Sequence, residues 1–406
     1  MWTHGGKAVR IRRCALWLVC LGMLGASFVA PDSAIAAPGA SEVVGGLAMP
    51  AMFTVASDGR FFYSELSTGR IGVFDPAQAS KATYFQVPDL CTQGDQGLYG
   101  LALDPGYPQV TTLYAYATRR QADGNCANQV LRIDRSPSGV LGLTVLSSDP
   151  YRSAHIGGRV LFGPDGNLYV STGDGADGAP TLEESRDWRA AAQDMSSLKG
   201  KVLRMTPSGT VPTDNPFGNF VFAYGFRNVF GFDFDPVNGR LWVTDNGPDP
   251  GDYTGAPAGP GPLGGCNDEL DAVVKGSNYG WGPTGSCAKP PEAPLNSNLD
   301  GPAVVLPGLN VEVATGITGG RFCRGCGLGA GYEGRLFYVK YNYTTGGGEI
   351  HAAKLSANRS KVVSDTLVYR PPASSPLSIE RGPDGTLYFS DNVSIHRLRR
   401  RAVALS

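Results

Sequence analysis

His155 is one of four histidines in 406 residues, and it stands in the run Ala154-His155-Ile156-Gly157-Gly158-Arg159. Nineteen residues further on, Ser171-Thr172-Gly173-Asp174-Gly175 carries an acid. Between them lie an apolar stretch, the turn signal Gly163-Pro164-Asp165-Gly166 and a second apolar run, Leu168-Tyr169-Val170. Two antiparallel strands of about six residues joined by a tight turn bring the far ends of such a hairpin together. Imidazole is the usual acceptor of a proton near neutral pH, and a neighbouring carboxylate orients the ring. The spacing therefore predicts a general base, His155, supported by Asp174 at one rim of a β-structure. A satisfied structural histidine and an ordinary turn acid are the plain alternative for the same pair.

The element that must position this pair recurs. A turn containing Asp or Gly, followed by an apolar-aromatic strand, occurs at Ala56–Tyr63, Leu103–Tyr116, Gly163–Val170, Asp235–Val243, Tyr332–Val339 and Gly382–Phe389. Repeated four-stranded units around an axis make a propeller, so six copies predict an all-β, six-bladed β-propeller with loop insertions collected on one face. Helical periodicity is faint, and Leu182 to Met195 is the one segment that fits a short helix. The 56 glycines and 30 prolines suit many short strands with tight turns. No composition shift divides the chain, so residues 37–406 are expected to form a single domain.

The amino terminus carries Arg10, Arg12 and Arg13, an apolar run from Ala15 to Ala30, and Ala34-Ile35-Ala36. This pattern predicts a signal peptide over residues 1–36, export to the periplasm or the extracellular space, and no stable membrane insertion after cleavage. Six cysteines then remain, and pairing of sequence neighbours gives Cys91–Cys126, Cys266–Cys287 and Cys323–Cys326, one of fifteen connectivities. The net charge is −1 without a basic stripe, which argues against a nucleic-acid partner. His351 and His396 read as surface or loop residues, and Asp268 and Glu269 as loop-stabilising acids. Asn342-Tyr343-Thr344 fits a glycosylation sequon.

Further segments are not ordinary turns: Gly94-Asp95-Gln96-Gly97-Leu98-Tyr99-Gly100-Leu101, Gln193–Arg204, Tyr224-Gly225-Phe226-Arg227-Asn228, Asp245-Asn246-Gly247-Pro248-Asp249, Asn267-Asp268-Glu269-Leu270 and Gly276–Trp281. In this order the set resembles the soluble quinoprotein glucose dehydrogenases and the related aldose (glucose/sorbosone) sugar dehydrogenases, over roughly residues 45 to 395. The resemblance implies a six-bladed propeller that oxidises the anomeric hydroxyl of aldose sugars to lactones. It also implies pyrroloquinoline quinone (PQQ) as cofactor, Ca2+ beside it, and an external electron acceptor. His155 matches the family's base and Asp174 its supporting carboxylate. Arg227 and Asn228 match cofactor contacts, and Gly247 and Pro248 match the residues whose carbonyls hold calcium, a hard cation that prefers oxygen.

The departures from that pattern bear on the cofactor. Asp95, beside Gln96, lies where quinone-binding members carry Gln, and Phe226 replaces a His. Asn342, Ser375 and Leu377 stand where those members place a Lys and two Arg against the cofactor's carboxylates. Three carboxylates without cations are poorly compensated for desolvation. Arg159, Lys340 or Arg381 must substitute, or affinity is weak, or the cofactor is lost. Two other functions therefore stay open: a non-catalytic propeller that binds a ligand or partner, and a calcium-dependent lactonase using Asp95, Asn228, Asn246 and Asp268.

Overall fold

Each of the six repeats forms the first hairpin of a four-stranded antiparallel sheet. The computed structural model describes residues 38–400 except 137, 140, 151–153, 176–181, 248–266, 284–286, 289–296, 299, 314, 343–346 and 373. The expected signal peptide, Pro248, Cys266 and the Tyr343-Thr344 half of the sequon lie outside the described residues.

Strand β1 (Gly39–Val44) precedes the first blade, which comprises β2 (Pro50–Val55), β3 (Phe61–Glu65), β4 (Arg70–Asp75) and β5 (Ser80–Gln86). The second blade comprises β6 (Leu98–Leu103), β7 (Leu113–Arg120), β8 (Cys126–Arg135) and β9 (Leu141–Pro150). The third comprises β10 (Val160–Phe162), β11 (Leu168–Thr172), β12 (Lys201–Met205) and β13 (Val221–Tyr224), with helix α1 (Leu182–Ala190) inserted after β11. The fourth comprises β14 (Val229–Phe234), β15 (Leu241–Asp245), β16 (Asn267–Val273) and β19 (Leu309–Val313), with a small ribbon of β17 (Cys287–Ala288) and β18 (Ser297–Asn298) between the last two. The fifth comprises β20 (Ile317–Phe322), β21 (Leu336–Lys340), β22 (Glu349–Leu355) and β23 (Val362–Tyr369). In the sixth, β24 (Ser378–Arg381), β25 (Leu387–Ser390) and β26 (Ile395–Arg399) take β1 as their outer strand. The first strand thus closes the last blade, and the first strands of adjacent blades meet in turn from blade four through five, six, one and two to three, while β11 meets β14 across the remaining seam. The architecture is the expected six-bladed β-propeller.

Period-two strands bury both faces here, because each sheet is covered by a sheet on either side. Six apolar clusters result, one at each seam between blades. At the closing seam, Phe61 meets Tyr388 edge-on at 5.0 Å. Burying such a ring stabilises by about 1.5–3 kcal/mol, so repetition around the ring sets the scale of the fold's stability.

Two of the expected disulfides are present, Cys91–Cys126 and Cys323–Cys326. Helix α1 is shorter than the pattern suggested, ending at Ala190. Beyond it the chain turns, and the Lys201 ammonium donates to the carbonyls of Ala191, Ala192 and Lys199 at 2.7, 3.0 and 2.6 Å. His351 and His396 are strand residues, not loop residues. His351 is buried because carboxylates on both sides satisfy its ring: Nδ1 meets Asp365 at 2.7 Å and Nε2 meets Glu349 at 2.9 Å. His396 stacks on Phe389 and pairs with Asp391.

Candidate active site

In an up-and-down blade, the start of the first strand and the end of the second lie at the same rim. Asp95 and Gln96 precede β6, His155 precedes β10, and Arg227 and Asn228 precede β14. Asp174 follows β11, Gly247 follows β15, and Lys340 ends β21. Topology therefore gathers every described candidate at one end of the propeller.

The hairpin of the third blade brings its two far ends together, as its sequence suggested. His155 Nδ1 lies 2.8 Å from Asp174 Oδ1, and the Asp174 side chain is fully buried. A neutral imidazole that donates from Nδ1 to a carboxylate keeps the Nε2 lone pair for a substrate proton. Nε2 makes no hydrogen bond among the described residues. His155 has φ +52°, the left-handed region that side chains other than glycine seldom adopt. Strain of this kind costs on the order of 1–3 kcal/mol and persists where surrounding bonds hold it. Here the His155 amide donates to Asp95 Oδ2 at 3.3 Å, the Gly157 amide to Asn228 Oδ1 at 3.0 Å, and the Gly158 amide to the Ser171 carbonyl at 2.9 Å. Gly173 makes the close approach possible, because a Cβ there would lie 1.8 Å from the His155 carbonyl oxygen.

A second group of contacts joins the third blade to the fourth. The amides of Arg227 and Asn228 donate to Asp245 at 3.0 and 2.6 Å. Arg227 Nη1 donates to the Asn246 carbonyl at 3.2 Å, and its guanidinium lies 5.8 Å from the Trp281 ring centre. Trp281 Nε1 donates to Asp174 Oδ2 at 2.6 Å. Gln96 is buried, with its Oε1 accepting from the Gln93 amide at 2.9 Å.

For metal chemistry, the Gly247 amide donates to Asp268 Oδ1 at 2.9 Å, while Asp268 Oδ2 accepts from Thr315 of the next blade. Asp268 therefore ties loops together, as its position suggested. Behind the Arg227–Asn228 loop, Asp245, Glu269 and Asp271 offer one carboxylate oxygen each within 4.8 Å of one another, all buried. Burial raises the Asp245 carboxyl to about 7, against the pull of the Arg227 and Asn228 amides. Burial and the Asp245 charge push Asp271 well above the usual carboxylate range. Among the described residues, both Asp271 oxygens lack a hydrogen-bond partner. Three acids in this arrangement must share protons or a hard cation.

The candidate cations divide sharply. Arg159 is buried and paired with Glu380. Arg321 Nε reaches the same Glu380 at 2.8 Å and its Nη1 reaches Asp233 at 2.9 Å. Arg381 donates to the Phe322 carbonyl at 3.0 Å and lies 3.5 Å from Asp233. These groups come from the first strands of four blades and form a charged network across the channel. Lys340, in contrast, is buried at the rim and makes no hydrogen bond or ion pair among the described residues. Asp245, Asp271, Glu380 and the indole of Trp281 were missed as site-building residues. The available signal was charge inside otherwise apolar strands, as in Ser378-Ile379-Glu380-Arg381.

Likeness to known proteins shows the family. The family model described as Glucose / Sorbosone dehydrogenase matches residues 47–400. Quinoprotein glucose dehydrogenase B of Acinetobacter calcoaceticus is 27% identical over 266 residues, covering 59% of this chain and 51% of that protein. Aldose sugar dehydrogenase YliI of Escherichia coli is 28% identical over 227 residues, covering 53% of this chain and 54% of that one. The chain thus spans about half the length of the curated relatives it matches. Among solved structures, an oxidoreductase (glucose dehydrogenase) of Thermus thermophilus superposes with a TM-score of 0.70 at 29% identity, covering 89% of this chain and 99% of that one.

Proposed function

Since the chain belongs to the glucose/sorbosone dehydrogenase family, we propose that it is an exported PQQ- and calcium-dependent dehydrogenase that oxidises the anomeric hydroxyl of aldose sugars to lactones. The observation that carries this reading is the His155–Asp174 pair, held in a strained backbone with Nε2 left unbonded among the described residues. His155 Nε2 takes the hydroxyl proton, and buried Asp174 stabilises the imidazolium that forms. When bound, PQQ supplies the hydride acceptor for the sugar carbon, and calcium beside it makes the quinone more electron-poor.

The residues at the rim fit such an anionic cofactor in their chemistry. Lys340 is a largely buried residue whose ammonium has no hydrogen bond or ion pair among the described residues, a state that a ligand carboxylate would complete. Arg227 and Asn228 supply a cation and an amide at the neighbouring blade, beside the buried, unbonded Asn246 Oδ1. The Gly247 carbonyl, with that of Pro248, is the proposed calcium ligand set. The leader-like residues 1–36 and the two disulfides support export. Among the described residues no helix is long and apolar enough to cross a membrane.

The test mixes purified apoprotein with PQQ and calcium, then with an aldose and a redox dye as external electron acceptor. Dye reduction with quinone retained on the protein is the expected result. Absence of both rejects the enzyme. The engagement of Arg159, Arg321 and Arg381 by acids favours one second reading, a propeller that binds a ligand without quinone chemistry. Saturable sugar binding with no quinone retained would select it.

A further inference from the structure

Trp281 is unusual among the buried aromatic residues because both its ring edge and its ring face are engaged by site residues. Its indole Nε1 donates to Asp174 Oδ2 at 2.6 Å, while the other oxygen of that carboxylate meets His155 Nδ1 at 2.8 Å. Its ring lies under the Arg227 guanidinium, 5.8 Å away. The residue is 2% exposed. Its amide donates to the Gly225 carbonyl at 2.8 Å, and its carbonyl accepts from Gln193 Nε2 at 2.7 Å. Gln193 Nε2 also donates to Asn278 Oδ1 at 2.9 Å, and Asn278 Nδ2 donates to the Asp300 carbonyl at 2.9 Å. The indole is thus a rigid strut anchored in the loops between the third and fourth blades.

We propose that Trp281 is a positioning residue: its N–H fixes the Asp174 carboxylate so that Oδ1 faces His155, and its ring aligns Arg227 on the same rim. A carboxylate held through one oxygen can rotate, and the imidazole it orients then loses its fixed donor direction. Held through both oxygens, it keeps Nδ1–H pointed at Oδ1 and Nε2 pointed away. Of the aromatic side chains only an N–H or O–H bearer can do this, and the indole is donor-only, so it never competes for the histidine's proton. One side chain thereby couples the orientation of the proton acceptor to that of a rim cation. The assignment rests on reading His155 as the base.

The test needs no cofactor for its main readout. With four histidines in the chain, ring 15N labelling of the apoprotein resolves the His155 Nδ1 proton. Trp281→Phe keeps an aromatic ring over which Arg227 can lie but removes the N–H. Trp242→Phe is the control, because Trp242 is fully buried yet its Nε1 has no hydrogen-bond partner among the described residues. The Nδ1 proton signal of His155 is expected to stay sharp in the unsubstituted protein and in the control. In Trp281→Phe it broadens or moves upfield as the acceptor is released. In reconstituted protein, kcat for aldose oxidation falls about tenfold while KM changes by less than about twofold, the pattern of a lost transition-state interaction. An unchanged signal in folded Trp281→Phe overturns the proposal. Should that variant not fold, uniform 5-fluorotryptophan, a stronger N–H donor, replaces it. An upfield shift of the same signal is then expected, because a stronger donor on Oδ2 draws charge from Oδ1, and no shift overturns the proposal. A protein that shows the spectroscopic response but never reduces dye leaves the strut standing and sinks the dehydrogenase.

Discussion

At the rim of the third and fourth blades, polar groups are oriented but not exhausted. Among the described residues, His155 is tied at Nδ1 and open at Nε2, and Asn246 Oδ1 is buried without a donor. In the channel below, every charge has an opposite partner, three arginines against two acids. Arg159 and Arg321 share Glu380, and Arg321 and Arg381 share Asp233. Both regions are buried and rich in ionisable groups; among the described residues the channel leaves Arg159 Nε without a partner but engages its acids, whereas the rim leaves a proton acceptor open for a ligand. A cation or acid counts toward a site only when its neighbours leave it unmatched. The channel network fixes four blades relative to one another, whereas the rim holds strain and unused valence.

The largest effect belongs to the open valence. His155→Asn should lower turnover of the reconstituted protein by about 10²–10⁴, the usual range for a general base, with the fold retained by circular dichroism. A loss of less than about fivefold would erase the distinction between rim and channel. Next comes the channel. Glu380→Gln leaves Arg159 and Arg321 buried with one acid fewer, which should cost about 3–5 kcal/mol in urea unfolding. Quinone affinity should change by less than about twofold. If that affinity instead rises, the channel arginines are accessible to ligand and the comparison fails.

How much of this was legible beforehand follows from the same contrast. The hairpin repeats announced the blades because turn residues and apolar alternation are local signals. The His155–Asp174 pairing was legible because one hairpin carries both residues. The Arg159–Glu380 pair was not, since its members are 221 residues apart and meet only when the ring closes. Arg159 read as a spare cation for that reason. The Trp281–Asp174 bond, spanning 107 residues, was hidden in the same way. His351 was misplaced because nothing local reveals that acids from two strands will satisfy its ring.

A third experiment probes the acid group behind the rim. Asp245 holds its proton up to about 7 in the folded protein, against an ordinary 3.8. The folded state therefore binds protons more tightly than the unfolded one across that window. Its contribution is fully present below about pH 4 and is lost as pH rises toward 7. Without metal, urea midpoints should fall between pH 5 and 7.5. Calcium replaces the shared protons of Asp245, Glu269 and Asp271, so it should flatten that slope and add about 2.7 kcal/mol at a hundred times its Kd. An unchanged slope with saturating calcium would mean that these carboxylates are closed to cations like the channel.

The smallest expected effect sharpens the comparison most, because it concerns one cation on the boundary between the two regimes. Lys340 ends β21 opposite Glu349, but Glu349 is engaged by His351 and Arg370. The side chain consequently stays at the rim, largely buried, without an ion pair of its own among the described residues. If it serves a ligand carboxylate, Lys340→Met keeps most of the buried stem and removes only the charge. PQQ affinity should then weaken about tenfold, roughly 1.4 kcal/mol, with turnover at saturating cofactor unchanged. The weakening should be greatest at low salt and shrink as salt screens the rim. A Lys340→Met protein that binds quinone as tightly as the parent would place Lys340 with the channel arginines. Arg227 would then be the remaining candidate contact for the cofactor's charge among the rim residues proposed here.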